Sequence, residues 1–192
     1  MSTNIEIEFK NMLDENEYHE LLNYFSIHEE QIWTQKNVYF DTPTHDLKRQ
    51  HAALRVRVKN NTYELTLKTK AEVGLLETHQ IITKADYKTL KHDHQLVIGP
   101  VYDTLVDLGI NVESLRVITD LTTKRAEVPY EDGLLVLDKS FYGEIIDFEL
   151  EYEVKDYNEG LKIFNHLLNK HNIPKRPAEN KIKRATAAVV AK

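Results

Sequence analysis

The 192-residue chain contains no cysteine, which excludes disulfides and thiolate metal sites and favours an intracellular setting. No apolar run approaches the roughly 20 residues that a membrane-spanning helix needs. The opening Met1-Ser2-Thr3-Asn4 lacks the pattern of a secretory signal, so the cytoplasm is the expected location. Excess positive charge is missing too. The formal net charge is −6, which argues against general nucleic-acid binding, where a basic face is the usual footprint. An acidic chain can still bind a polyanion if its cations converge on one site. Low-complexity stretches and dividing linkers are absent, so residues 1–192 are expected to form one domain. The nine histidines are scattered, with no H-E-x-x-H or comparable spacing, and are expected at the surface.

What the chain has is charge in alternation. Ile5-Glu6-Ile7-Glu8-Phe9-Lys10 puts Glu6, Glu8 and Lys10 on one face of an extended strand and the apolar residues on the other. A single strand of this kind is ordinary sheet surface. The pattern recurs, however, in Arg55-x-Arg57-x-Lys59, in Glu64-x-Thr66-x-Lys68 and in Asp147-x-Glu149-x-Glu151-x-Glu153.

The remaining signals give an alternation of hairpins and helices. Asp14 caps a helix predicted over 14–25, and an extended segment over 29–41 ends at Thr42-Pro43 before a connector to about Gln50. Strands at 54–59 and 63–68 flank Asn60-Asn61 as a hairpin, and a further strand runs from Leu75 to Thr83. Helices are predicted at 84–91 and 101–108, long strands at 116–130, 134–138 and 144–154, a helix from Asp156, and a basic helical tail from Asn180. The fold class is α+β with antiparallel strands. Either each charged face meets water, or the sheet closes and the charges line an interior. Rows of like charge repel unless compensated. A closed eight-stranded antiparallel β-barrel with flanking helices would set carboxylates against guanidiniums, and its ligand would be a polyanion with divalent cations.

With these motifs in order, the chain resembles the CYTH superfamily, the triphosphate tunnel metalloenzymes. The resemblance runs from Glu6 to Arg184. It rests on Glu6-x-Glu8-x-Lys10, Tyr39-Phe40-Asp41-Thr42, Leu54-Arg55-x-Arg57, Glu64-Leu65-Thr66-Leu67-Lys68, Arg125, Leu137-Asp138, Glu149-Leu150-Glu151 and Asn180-Lys181-x-x-Arg184. Two positions depart from the family pattern. The fifth strand reads Leu75-Leu76-Glu77-Thr78-His79-Gln80, with Glu77 available as an acid and no arginine, and Asn180 replaces the usual serine before the C-terminal lysine.

The resemblance implies Mg²⁺ or Mn²⁺ held by Glu6, Glu8, Asp138, Glu149 and Glu151, with Glu153 and Asp147 towards the tunnel mouths. It implies phosphate contacts from Lys10, Arg55, Arg57, Lys59, Lys68, Arg125, Lys181 and Arg184, with Lys183 facing solvent. Lys68 and Tyr39 would form a catalytic lysine–tyrosine pair. The implied activity is metal-dependent hydrolysis of a small-molecule triphosphate, inorganic tripolyphosphate first, with nucleoside or thiamine triphosphate as alternatives. A class IV adenylyl cyclase and a non-catalytic polyphosphate or nucleotide sensor are the rival readings. No nucleic-acid or membrane partner is expected, and monomer and homodimer both remain open.

Overall fold

Alternation along the strands decides the architecture, because one face is apolar and the other charged on almost every strand. A computed structural model describes residues 2–190, and side chains over 4–188. The chain forms β1 (Ser2–Leu13), α1 (Glu15–Tyr24), β2 (Trp33–Asp41), α2 (Asp46–Arg49), β3 (Ala53–Lys59), β4 (Thr62–Lys70) and β5 (Leu75–Ile82). It continues with α3 (Lys84–Asp93), α4 (Pro100–Asp107), β6 (Arg116–Tyr130), β7 (Gly133–Tyr142), β8 (Ile145–Val154), α5 (Tyr157–Lys170) and α6 (Lys181–Val190). The eight strands close into one antiparallel barrel in the order β1-β5-β4-β3-β2-β6-β7-β8. Among the described residues no helix is long and apolar enough to cross a membrane.

The barrel is apolar outside and polar inside. Val38, Phe40, Val56, Leu65 and Leu67 face outward from β2, β3 and β4 and pack with Leu90 of α3 and Val101 and Leu105 of α4. On the other flank, Leu135, Leu137, Leu150 and Tyr152 of β7 and β8 pack with Leu21 and Leu22 of α1 and Phe164 and Leu167 of α5. The hydrophobic driving force therefore comes from helices laid over the outside of the sheet, each buried Leu or Phe contributing about 1.5–3 kcal/mol. The interior is left to charge.

Local signals set the element ends. Asp14 accepts from the Glu17 N–H at 2.8 Å while the Glu17 carboxylate accepts from the Asp14 N–H at 2.8 Å, a reciprocal cap on α1. Thr83 and Asp86 repeat the device on α3. The predicted helix and strand positions agree with the observed ones to within a few residues. Two details differ: β2 begins at Trp33, after a 3₁₀ turn over Glu29–Gln31, and the connector before β3 holds the single turn α2. That turn is organised by Asp41, which is buried at the end of β2. Its carboxylate accepts from the N–H groups of Thr42 (2.7 Å), Leu47 (2.9 Å) and Lys48 (3.2 Å).

The segment before α6 is tied to β1. Asn11 donates to the Pro174 carbonyl at 3.1 Å and accepts from the Arg176 N–H at 2.7 Å, and the Met12 N–H donates to the Arg176 carbonyl at 3.0 Å. These bonds deliver α6 to one end of the barrel, where Ile182, Ala185 and Ala188 pack with Tyr39, Leu121 and Tyr142.

Asp41→Ala should leave three backbone donors without their carboxylate and destabilise the protein by about 3 kcal/mol. Urea denaturation measures this, and an unchanged midpoint would show that the α2 turn is held by other contacts.

Candidate functional site

Register puts the charged faces inside. Lys10 lies opposite Glu151, Arg125 opposite Asp138, Lys68 opposite Glu77 and Arg57 opposite Glu64, each a pairing of unlike charges. Glu8 opposite Glu153 and Asp138 opposite Glu149 pair like charges, so cations from elsewhere must reach them. Glu6, Glu8, Lys10, Arg55, Arg57, Lys59, Lys68, Arg125, Asp138, Glu149 and Glu151 all fall on the inner face that the alternation predicts.

The compensation is dense on the wall made by β1, β6, β7 and β8. The Arg125 guanidinium holds Asp138 at both oxygens, 2.8 and 2.6 Å, and donates to Glu151 at 2.9 Å. From α6, the Lys181 ammonium sits between Glu151 (2.7 Å), Glu149 (2.8 Å) and Asp138 (3.0 Å). Arg184, one turn on, pairs with Glu149 and Asp147. Lys10 bridges Glu8 at 2.9 Å and Glu151 at 3.1 Å, and Lys68 bridges Glu6 and Glu77, both at 2.5 Å.

These contacts set the ionisation. Burial disfavours charge on Glu151, but Lys10, Lys181 and Arg125 hold its pKa well below the usual carboxylate range. Asp138 is lowered against burial by Arg125 and Lys181. Glu8 is raised, by burial first and then by Glu151, and Glu149 is raised, by burial first, with Glu151 adding to it against Lys181. Burial opposes charge on Lys181 as well, and its three carboxylates raise its pKa all the same. An acid pushed up beside a lysine pulled up marks a cluster crowded with carboxylates.

The opposite wall is different. Arg55 and Arg57 stand side by side on β3, and among the described residues neither makes an ion pair with a carboxylate. Arg57 donates only to Asn37 Oδ1, at 3.3 Å, and the Arg55 Nε–H is buried without a partner. Burial, then Arg55 and Arg125, pull the Arg57 guanidinium down to about 10. Next to it a cavity of about 330 Å³ opens at the end of the barrel away from α6, lined by Trp33, Gln35, Arg57, Lys59, Glu64 and Glu127. Lys59 does not point at an acid; its Nζ lies 3.7 Å from the centroid of the Trp33 ring.

The expected site residues make the following contacts in this structure. Lys68 and Tyr39 are not joined by a hydrogen bond: Lys68 is engaged by Glu6 and Glu77, while Tyr39 is buried in the apolar cluster against α6. Arg125, Lys181, Arg184 and Lys10 hold carboxylates here. Lys183 pairs with Glu179 at the exposed surface, as expected. The histidines are not all at the surface. His79 lies on the inner face of β5, its Nε2 3.0 Å from Glu77 and its Nδ1 3.3 Å from Thr66 Oγ1. His94 and His171 are half-buried, each with a ring nitrogen lacking a partner. Glu77 and His79 thus fill the fifth-strand stretch where no arginine was found. Strand alternation with Glu77 was the signal that could have placed His79 inside.

Among the described residues no three acidic or histidine side chains stand ready as a metal-ligand set. The carboxylates are gathered around the Lys181 ammonium, which takes the place of a cation among Asp138, Glu149 and Glu151. Glu149 Oε1 is buried with no hydrogen-bond partner. Hard oxygen donors, an orphaned carboxylate oxygen and a positive charge held at their centre fit a divalent cation such as Mg²⁺ or Mn²⁺.

Among the described acids on the inner faces of β1, β7 and β8, Glu153 is the one without an ion pair. Burial first, then Glu6, raise its pKa from the ordinary 4.5 to about 7. A raised carboxylate stabilises the fold fully below 4.5 and loses that contribution as pH rises through 7. Glu153→Gln has no such loss, so it should gain about 1 kcal/mol over wild type between pH 5 and pH 8, allowing for solvent screening. Urea denaturation of both proteins at the two pH values checks this; a constant difference would place Glu153 in water.

Comparison with known proteins agrees with this geometry. A family model for the CYTH domain matches residues 4–186. A protein of Bacillus subtilis (strain 168) carrying the name "Putative triphosphatase YjbK" is 44% identical over 184 residues, 96% of this chain and 95% of its own length. A crystal structure from Bacillus halodurans, described as a "putative adenylate cyclase", superposes with a TM-score of 0.92 at 38% identity, covering 96% of this chain and 98% of that one. A structure from Hippeastrum shares the fold at a TM-score of 0.78 and 21% identity, covering 96% of each chain. A closed barrel with its charges inside, matched over nearly its whole length, makes this chain a member of the CYTH family.

Proposed function

We propose that the protein is a divalent-metal-dependent triphosphatase whose tunnel holds a triphosphate, with inorganic tripolyphosphate as the first substrate. The observation that carries this reading is the neighbouring pair Arg55 and Arg57: among the described residues neither guanidinium meets a carboxylate, Arg57 lines an open cavity, and Lys10, Arg125, Lys181 and Arg184 of the opposite wall are all paired. Buried arginines without anions are unstable unless a ligand supplies the charge. Phosphate oxygens do so bidentately. Similarity to the Bacillus subtilis protein named as a triphosphatase supports the reaction class.

Glu6, Glu8, Asp138, Glu149 and Glu151 would hold Mg²⁺ or Mn²⁺, which would neutralise phosphate charge and acidify a water for attack on the terminal phosphorus. The chain's own residues do the rest. Arg55, Arg57 and Lys59 bind the phosphates from one wall, and burial strengthens each contact. Arg125 fixes Asp138 and Glu151 in place. Lys10, Lys181 and Arg184 balance the carboxylates until substrate enters, then can turn to its oxygens. Phosphoryl transfer of this kind asks for positioning and charge neutralisation, and this interior is built from both.

The test is to incubate purified protein and Mg²⁺ or Mn²⁺ with tripolyphosphate and, separately, with ATP, and to resolve the products by chromatography. Orthophosphate should appear from tripolyphosphate. Cyclic AMP with pyrophosphate would replace this reading with a cyclase, and no turnover of any triphosphate would leave a binding protein.

Arg57→Ala should weaken tripolyphosphate binding by on the order of 1.5–3 kcal/mol, the worth of one hydrogen bond to a charged group. Calorimetry reads the loss, and unchanged affinity would put Arg57 outside the phosphate path.

A further inference from the structure

The two ends of the barrel differ in kind. One is closed by α6, with Ile182, Ala185 and Ala188 on Tyr39, Leu121 and Tyr142. The other opens through the cavity beside Arg57, and Trp33 stands in its wall. Every other lining side chain there is polar or charged, Gln35, Arg57, Lys59, Glu64 and Glu127 among them. Phosphate chemistry has no use for an indole. A polyphosphate seated on Arg55 and Arg57 must nevertheless carry any attached organic group out through this end, because α6 stands at the other. The group beyond the phosphates therefore meets Trp33.

Three details describe what Trp33 offers. It is the first residue of β2 and lies opposite Arg125 in register, so its ring is anchored to the inner face rather than carried on a loop. Its Nε1–H is buried and without an acceptor, which leaves the ring face as its working surface. That face is covered by the Lys59 ammonium at 3.7 Å, and Lys59 neighbours Arg57 on the same face of β3. An indole face holds a cation through its quadrupole, and it stacks planar heterocycles equally well. A bound polyanion draws the ammonium towards itself and uncovers the face.

We propose that Trp33 is a stacking platform for the base of a nucleoside triphosphate, with Lys59 as a cover that moves onto the phosphates when substrate enters. The inference rests on the triphosphate reading above and names a substrate class within it. The tunnel takes inorganic tripolyphosphate through its phosphate contacts alone, and takes a nucleoside triphosphate through the same contacts plus Trp33. Specificity for the base is loose, since stacking accepts any planar ring.

Trp33 is the chain's single tryptophan, so its fluorescence reports this site alone. The experiment titrates wild-type protein with ATP and with tripolyphosphate, without divalent metal so that no turnover occurs, following tryptophan emission and, in parallel, calorimetric affinity. The same calorimetry is run on Trp33→Ala and Trp33→Phe. ATP should quench emission to a greater extent than tripolyphosphate does. Trp33→Ala should weaken ATP on the order of tenfold and leave tripolyphosphate within about twofold, with Trp33→Phe retaining most of the ATP affinity, as expected for stacking. Equal losses for both ligands in Trp33→Ala, or ATP binding that Trp33→Ala does not change, overturn the platform while the triphosphate reading stands. Failure of wild-type protein to bind either ligand, both without metal and with Mg²⁺ added, overturns the triphosphate reading, and the platform with it.

Discussion

The interaction on which the rest of the structure depends is the contact of one ammonium, Lys181, with Asp138, Glu149 and Glu151. Three carboxylates converging from two adjacent strands would repel each other and pay a large desolvation cost. Lys181 arrives from α6, outside the sheet altogether. Arg125, Lys10 and Arg184 each reach one or two of these acids, but Lys181 touches all three, so it joins the end of the barrel at α6 to the acid wall. The Asn11 and Met12 bonds to Pro174 and Arg176 are what bring α6 to this position.

A barrel charged inside and apolar outside reverses the usual arrangement, and the helices make the reversal possible. α1 and α5 on one flank, and α3 and α4 on the other, give the outward Leu, Val and Phe residues somewhere to go. The hydrophobic effect therefore operates outside the sheet, and the interior is free to be built for a ligand. Its two walls divide the work: acids already met by cations on β1, β6, β7 and β8, and arginines still unmet on β3.

Much of this was legible in the sequence because alternation is a local property. Glu6, Glu8 and Lys10, or Arg55, Arg57 and Lys59, declare a shared face without reference to any other strand. Closure follows from their number and their like charges. What was not legible depends on register and on which strands meet. Nothing near Lys181 in sequence says that it reaches between β7 and β8. Tyr39 and Lys68 were paired by resemblance, yet Tyr39 points into the apolar contact with α6 while Lys68 is engaged by two acids. His79 was taken for surface because it lacks a metal-binding spacing, although its strand places it two residues beyond Glu77 on the same face. Trp33 was read only as part of an extended stretch; that Lys59 lies over it and that it borders a cavity depend on contacts between strands.

The way β1 is shared between neighbours has a consequence for how the chain reaches this state. Residues 2–6 pair with β5, and residues 7–13 pair with β8, whose partners lie about 140 positions further along the chain. The first strand made is thus the last to be completed. Hairpins β3–β4, β4–β5, β6–β7 and β7–β8 can zip locally on microsecond timescales, but the seam between β1 and β8 must wait for a long loop to close. Non-local closure of this kind slows folding relative to a helical protein of equal size. Until it happens, the acid face of β8 and the outer half of β1 are open edges, and the charges that later line the tunnel keep those edges from pairing with another chain.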